Sequence, residues 1–166
     1  ISDTNSFINR FSYKYFSELY NENVSSVGLT LSSAFSLDDS DVKLSERLFI
    51  PSNRLRGFEG GKVGPKDGND FVGGNYLATL NLTSSLPQIM PNSQETDFSV
   101  FLDVAKIWGV DYDSSINDSG KVRSSIGIGL DWFTVIGPIS FSYAHPLSKD
   151  TNDVTQEFSF NLGTTF

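Results

Sequence analysis

Residues 123–134 read RSSIGIGLDWFT, a stretch in which apolar and polar side chains alternate. The apolar face carries Ile126, Ile128, Leu130 and Trp132, opposite Arg123, Ser125, Gly127, Gly129 and Asp131. A period of two residues indicates a β-strand rather than a helix. An average globular strand has roughly five or six residues, whereas a strand that crosses a bilayer at a tilt needs about 9 to 11. The stretch therefore predicts a membrane-crossing strand.

The same alternation recurs along the chain and predicts seven long strands, near residues 7–19, 24–36, 71–84, 97–109, 122–134, 138–146 and 155–166. Their polar faces carry mainly Ser, Thr, Asn and Gly, which suit a wet or plugged barrel lumen. One exception is Phe101, which falls on the polar face of its strand beside Asp103. We predict an all-β fold, an antiparallel up-and-down transmembrane β-barrel, in which residues 37–70 form a long loop.

Composition excludes several classes of function. The net charge of −8 argues against a nucleic-acid partner. The chain has no Cys, and His145 is its only histidine, so neither thiolate chemistry nor a histidine cluster for a metal is expected. No nucleophile, base and orienting group occur in a recognisable pattern. We therefore expect neither an enzyme nor a cofactor or metal site, and we interpret His145 as an interfacial residue at a strand end.

The odd number of predicted strands indicates that they do not form a whole barrel. Single-chain bacterial barrels have an even number of strands, and an open sheet would leave unpaired edges that lipid does not tolerate. We therefore expect the seven strands to be part of a larger barrel.

Several short motifs carry a resemblance to a known family. LRGFEG at residues 55–60 is followed by VGP at 63–65, by VGGN at 72–75, by a Gly137-Pro138 turn and by a final strand that ends in Phe166. In this order and at these distances, the motifs resemble the barrel of the BamA family over residues 48–166. The resemblance implies the last seven strands of a sixteen-stranded barrel, with the upstream POTRA repeats of such proteins absent here.

The resemblance also implies a site. In the family, the motif arginine folds into the lumen with its loop, so Arg56 is expected to contact Asp103 on the barrel wall. Gly57 would permit the tight backbone of the loop, and Phe58 would anchor the loop on the wall. A second wall carboxylate of the family falls at Thr83, so that contact is expected to be weaker or replaced, with Glu59 as a candidate substitute. The alternative is that Arg56 is a solvated loop charge.

The final strand is the second candidate site. Phe158, Phe160, Gly163 and Phe166 are expected to form the seam strand, and the terminal aromatic resembles the sorting signal of outer-membrane barrels, which is read by strand addition. The alternative is an ordinary aromatic girdle. Gly163, like Gly127 and Gly129, either weakens its strand or relieves packing in the wall.

The resemblance implies an assembly factor that folds and inserts β-barrel proteins into the bacterial outer membrane. Its expected partners are unfolded barrel clients, lipoproteins of the assembly complex and outer-membrane lipid. Alternatives are a related translocator pore (autotransporter assembly or two-partner secretion), a passive porin or adhesin barrel, and a soluble β-sandwich. The Asp-rich stretches at 38–41 and 111–118 are either solvated loops or cation sites shared with lipopolysaccharide.

Overall fold

The computed structural model describes residues 6–20, 22–38, 40–89, 95–118, 120–135 and 137–163. Within these residues, the strands are β1 (Ser6–Tyr20), β2 (Asn23–Ser36), β3 (Gly57–Phe58), β4 (Lys66–Asp67), β5 (Asp70–Phe71), β6 (Tyr76–Ser85), β7 (Thr96–Trp108), β8 (Arg123–Thr134), β9 (Gly137–Ser148), β10 (Thr155–Gln156) and β11 (Phe158–Leu162). Single 3₁₀ turns cover Leu44–Glu46 and Pro87–Ile89. Across the described ranges, no helix is both long and apolar enough to cross a bilayer.

The long strands form one antiparallel sheet in the order β1-β2-β6-β7-β8-β9-β11. Neighbours along the chain are neighbours in the sheet, apart from the short strands, so the up-and-down topology predicted from the sequence is confirmed. Bulges interrupt the register between Glu18 and Tyr20 and between Ser124 and Ser125. β1 and β11 lie at the two edges of this sheet, which therefore fits part of a barrel wall.

The two faces of the sheet differ as the alternation requires. On the outer face, Val27, Leu82, Leu102 and Ile126 follow one another across four neighbouring strands. Many outer side chains are exposed, such as Ile128 at 57% and Phe160 at 54%, which fits a surface that contacts lipid. The inner face is covered by the connection between β2 and β6, and its side chains there are buried.

The core lies between this connection and the inner face of the sheet. Ile50, Leu55 and Val63 of the connection are each 1% exposed, and they join the buried cluster of Leu77 and Ile107 on β6 and β7. The predicted long loop is thus a packed segment. Its apolar side chains pack against the wall, because their burial stabilises the fold by about 25 cal/mol per Å² of apolar surface removed from water.

Two predicted strand bounds are corrected by the structure. The strand expected over 71–84 begins at Tyr76, because Gly74 forms an isolated bridge with Leu48 instead of joining the sheet. The backbone approaches so closely there that a Cβ on Gly73 would lie 2.3 Å from the Leu48 carbonyl oxygen. The strand expected over 155–166 is divided into β10 and β11, with Glu157 between them. Residues 164–166 lie outside the described ranges.

Candidate functional site on the inner wall

The connection between β2 and β6 is closed at its base before it reaches the wall. Leu48 and Gly74 exchange backbone hydrogen bonds of 2.9 and 3.0 Å, and the Gly61 N–H donates to the Ile50 carbonyl at 3.0 Å. A turn follows Pro51, whose carbonyl accepts a 3.0 Å bond from the Arg54 N–H. These backbone contacts fix the segment that carries Arg56, so its side chain is presented to β7.

Arg56 forms a bidentate ion pair with Asp103. Its Nε and Nη2 atoms donate to Oδ2 and Oδ1 at 2.7 and 2.8 Å, and its backbone N–H donates to Oδ2 at 3.1 Å. The Asp103 side chain is fully buried, and that of Arg56 is 20% exposed. A planar guanidinium matches both carboxylate oxygens at once, so this geometry orients the loop as well as neutralising a buried charge.

The wall supplies further contacts to this pair. The Arg56 guanidinium carbon lies 3.4 Å from the centroid of the Phe101 ring. The Asn81 amide donates at 2.8 Å both to Asp103 Oδ1 and to the Arg54 carbonyl, and the Ser125 hydroxyl donates to the Arg56 carbonyl. Every partner comes from β6, β7 or β8, so one loop turn is bound to three adjacent strands. We call Arg56, Asp103, Phe101, Asn81 and Ser125 the Arg56 site.

Of the two residues considered at the place of the second wall carboxylate, Thr83 contacts Arg56 and Glu59 does not. Thr83 lies at the edge of hydrogen-bonding range, with its Oγ1 3.4 Å from Arg56 Nη2. Glu59 does not take this role, because its carboxylate pairs with Lys62 at 2.7 Å. The buried Asp103 therefore carries the charge balance of Arg56.

Gly57 and Phe58 lie where the loop contacts β8 and β9 on the inner face of the wall. Gly57 has a φ of +90°, and a Cβ at this position would lie 3.1 Å from the Ala144 Cβ and 3.4 Å from the Ser125 Cβ. Phe58 is 2% exposed and belongs to the buried core. The two residues form β3, which pairs with Thr155 and Gln156 of β10.

Of the residues predicted to form the seam strand, two lie on the outer face, one follows the strand and one lies beyond the described ranges. Phe158 and Phe160 are exposed on the outer face, and both rings contact Phe141, with centroids 6.4 and 5.4 Å away. Gly163 directly follows β11 and has a φ of +115°, a conformation that favours glycine. Phe166 lies outside the described residues.

A second group of contacts joins the loops at one end of the sheet, after β2, before β6 and after β7. Arg47, whose side chain is 1% exposed, pairs with Asp111, and this carboxylate also accepts bonds from the Val42 N–H at 3.0 Å and the Asn75 amide at 2.8 Å. Partial burial raises the pKa of Asp111, but the Val42 and Asn75 hydrogen bonds and the charge of Arg47 together outweigh it, so the pKa lies below its ordinary value. This group joins the start of the connection to the β7–β8 loop.

A further, buried ion pair holds the β9–β10 loop. Arg123 Nε and Nη2 donate to the two oxygens of Asp153 at 2.9 and 3.1 Å, with both side chains buried. The same carboxylate accepts bonds from the backbone N–H groups of Gly64 and Asp150, at 3.2 and 2.6 Å. Buried ions need this degree of satisfaction, so the pair fixes the chain that leads into β10.

The Asp-rich stretches take part in the chain's own contacts. Asp118 accepts a 2.8 Å bond from the Val110 N–H, and Asp113 accepts one of 2.8 Å from the Ser115 N–H. In the ranges that the structure describes, no three His, Cys, Asp or Glu residues are grouped so that they could hold a metal ion.

Comparison with protein families assigns the chain. The Omp85 superfamily domain matches residues 2–166. The chain belongs to the Omp85 superfamily. The resemblance inferred from the sequence motifs is thereby confirmed.

Two bacterial relatives of this Omp85 chain are named as assembly factors. Outer membrane protein assembly factor BamA of Neisseria meningitidis serogroup B is 33% identical over 141 residues, which cover 68% of this chain and 17% of that protein. BamA of Neorickettsia risticii is 27% identical over 135 residues, covering 80% and 18%. A SAM50-like protein of Schizosaccharomyces pombe is 30% identical over 156 residues, covering 85% and 32%. The chain thus spans less than a third of the length of these relatives.

A solved structure supports the same assignment for the fold. The crystal structure of BamA from Haemophilus ducreyi lacking POTRA domains 1–3 superimposes with a TM-score of 0.86 at 28% identity, covering 95% of this chain and 35% of that one. The predicted all-β barrel architecture is therefore confirmed for the sheet, and the Omp85 chain is an outer-membrane protein.

Sequence reasoning missed several contributors to the Arg56 site. Phe101 was visible as an exception to the alternation, and its contact with Arg56 explains the exception. Asn81 and Ser125 fell on the correct faces but looked like ordinary lumen residues. No sequence signal pointed to the pairing of Gly57 and Phe58 with β10, because that pairing joins residues almost a hundred positions apart.

Proposed function

We propose that this Omp85 chain contributes the C-terminal wall of an outer-membrane protein assembly factor, which folds and inserts other β-barrels without cofactor or covalent chemistry. Its partners would be unfolded barrel clients, lipoproteins of the assembly complex and outer-membrane lipid. The names of the bacterial relatives support this proposal, as does the similarity of the sheet to the barrel of a solved BamA structure.

The observation that carries the proposal is the weak attachment of the final strand. Within the described residues, β11 pairs with β9 over five residue pairs, whereas β8 pairs with β9 over eleven. A short ladder opens readily, and the strand edge freed in this way is a template for another strand, so β11 is suited to receive a client strand.

The Arg56 site supports the proposed function because it makes the wall rigid. Its loop turn is bound to β6, β7 and β8, so the part of the wall to which β11 is joined through β9 is held in one shape. An edge that templates a client must keep its register, because a one-residue slip moves every side chain to the other face. We propose that the loop provides this fixed platform.

The terminal residues would serve a second role. We propose that Phe158, Phe160 and Phe166 also form the signal by which this protein itself is recognised for assembly, with Gly163 allowing the chain to bend before its end. The outward position of Phe158 and Phe160 supports this, because strand addition reads alternate side chains on one face.

Reconstitution of the full-length protein tests the function. Liposomes with and without the protein receive an unfolded second barrel, and the time at which that barrel becomes protease-protected is measured. The proposal predicts clear acceleration by the protein. Steady ion conductance in planar bilayers without any acceleration would instead support the translocator or porin alternatives.

A further inference from the structure

Within the described residues, the β9–β11 ladder lies between two prolines of β9, Pro138 and Pro146. Ala144 N–H donates to the Glu157 carbonyl at 2.8 Å, and at the other end Gly163 N–H donates to the Pro138 carbonyl at 2.9 Å. Because the N–H groups of successive strand residues point to alternate edges, the even-numbered residues of β9 face β11. The next such position beyond Ala144 is Pro146, which has no N–H.

The terminal segment changes partner where Pro146 would be its next neighbour. Continuing the β9–β11 register beyond Phe158 and Tyr143 would place Gln156 opposite His145 and Thr155 opposite Pro146. Instead, Gln156 pairs with Gly57 and Thr155 pairs with Phe58. The last strand is therefore shared between the barrel wall and the connection that carries Arg56.

Further backbone hydrogen bonds extend the pairing between the last strand and the Arg56 loop. Glu59 N–H donates to the Val154 carbonyl at 2.9 Å, and Val154 N–H donates to the Lys62 carbonyl at 3.0 Å. At the junction, Glu157 is held by the Tyr143 hydroxyl at 3.1 Å and lies 3.5 Å from His145 Nδ1. The pairing with the loop is thus an ordered ladder and not a chance crossing.

We propose that Pro146 acts as a positioning residue that ends the β9 ladder and directs residues 154–156 onto the Arg56 loop. Because Pro146 has no backbone N–H, β9 offers Thr155 an incomplete set of ladder hydrogen bonds at this point. Residues 155 and 156 pair with β3 instead. The position of the loop and the pairing of the last strand are therefore coupled. Release of the loop would leave residues 154–156 without a partner, so the start of the last strand would lose its fixed register.

The functional consequence rests on the proposed function: while the loop is bound, it holds residues 154–156 and so fixes the register of the last strand that a client would meet. The structural part stands alone and is testable without any client. The chain contains no Cys, so engineered pairs report pairing directly, and strand partners lie within the Cα separation that a disulfide accepts.

The test uses the full-length protein in membranes. The pair F58C/T155C reports the loop pairing, and the pair H145C/Q156C reports extension of the wall pairing. Each pair is measured with the natural proline and with Pro146→Thr, which restores an N–H. Pro138→Thr is the matched control, because Pro138 lies on the same edge of β9 but at the opposite end of the ladder. Folded barrel is verified by its heat-modifiable migration.

With the natural proline, F58C/T155C is expected to crosslink and H145C/Q156C to remain reduced. Pro146→Thr is expected to shift the ratio of the two crosslinks toward the wall by about fivefold, the change expected for one added backbone hydrogen bond. Pro138→Thr is expected to leave the ratio unchanged. An unchanged ratio in folded Pro146→Thr, or an equal shift in both variants, would overturn the proposal. Because no client is present, slow client insertion would count against the proposed function and not against this coupling.

Discussion

The ring of Phe101 lies beneath the guanidinium of Arg56, with 3.4 Å between the ring centroid and the guanidinium carbon. The same guanidinium binds Asp103, two residues further along β7. One strand therefore supplies both an apolar face and a charge partner to the arginine. This explains why an aromatic side chain occupies an inner-face position between polar neighbours, and it makes the contribution of each partner separable by substitution.

Replacement of Phe101 by Leu should weaken the loop without removing its ion pair. A cation–π contact of this kind is worth about 1 kcal/mol, so the released loop should be about fivefold more populated. Limited proteolysis within residues 51–62 measures this. Phe98→Leu, on the outer face of the same strand, is the control and should leave cleavage unchanged; equal cleavage in both variants would contradict the assigned contact.

Gly57→Ala should displace the loop through both strain and contact. Its φ of +90° disfavours a side chain, and the new Cβ would meet Ala144 at 3.1 Å. Gly61→Ala separates the two causes, because Gly61 also has a positive φ, +75°, yet a Cβ added there would have nothing within 4 Å. We expect F58C/T155C crosslinking to fall in G57A and to be largely kept in G61A. Partial recovery in G57A with Ala144→Gly would confirm the contact.

Gly127→Ala should impair folding of the wall. The added Cβ would lie 2.5 Å from the Phe101 ring and 2.3 Å from the Tyr143 carbonyl oxygen, and backbone cannot yield cheaply. Overpacking of this kind costs about 1–3 kcal/mol. Gly129→Ala is the comparison, because its nearest neighbour at 2.7 Å is the rotatable Ser99 hydroxyl. The folded fraction, measured by heat-modifiable migration, should fall clearly only in G127A; equal fractions would argue against the packing role.

Acid should release the group around Asp111. Its pKa lies below the ordinary value in the folded chain, and an unfolded Asp has a pKa of about 3.9. The stabilisation is therefore fully present above about pH 4 and is lost as the pH falls through the lower folded-state pKa. A spin label on Ser45→Cys should stay immobile from neutral pH to about pH 4 and become mobile below it.

Asp111→Asn supplies the control for this pH dependence. It removes the charge that Arg47 binds, so the label should already be more mobile at neutral pH and should respond less to acid. An identical pH profile in both proteins would show that another group governs the loop.

The strands of the sheet were largely predictable because a two-sided environment imposes alternation on each of them. Ile126, Ile128 and Leu130 face outward, and Asp131 lies on the opposite face, as the pattern indicates. The starting point of β6 was less predictable, because the close approach of Gly73 to Leu48 overrides the alternation. The ends of strands depend on such tertiary contacts more than on local pattern.

The Arg56 site was only partly predictable. The motif resemblance pointed to Arg56 and Asp103, and the structure brings them into contact. The division of the last strand was hidden, because Phe158 and Phe160 continue the alternation that begins before Glu157. Pro146 was the available signal, since a proline facing a neighbouring strand removes a ladder bond. The pairing of Arg47 with Asp111 joins two polar loops and leaves no pattern in the sequence.

The most direct test of the central claim compares Arg56→Ala with Arg54→Ala in the client-insertion assay with the full-length protein. Both variants remove one loop guanidinium, but Arg54 contributes its backbone to Pro51 and Asn81, and those bonds survive the change. Loss of the Arg56 side chain leaves the buried Asp103 without its charged partner, at a cost of about 3–5 kcal/mol. The account predicts slow insertion in R56A and near-normal insertion in R54A. Equal rates in the two variants would contradict it.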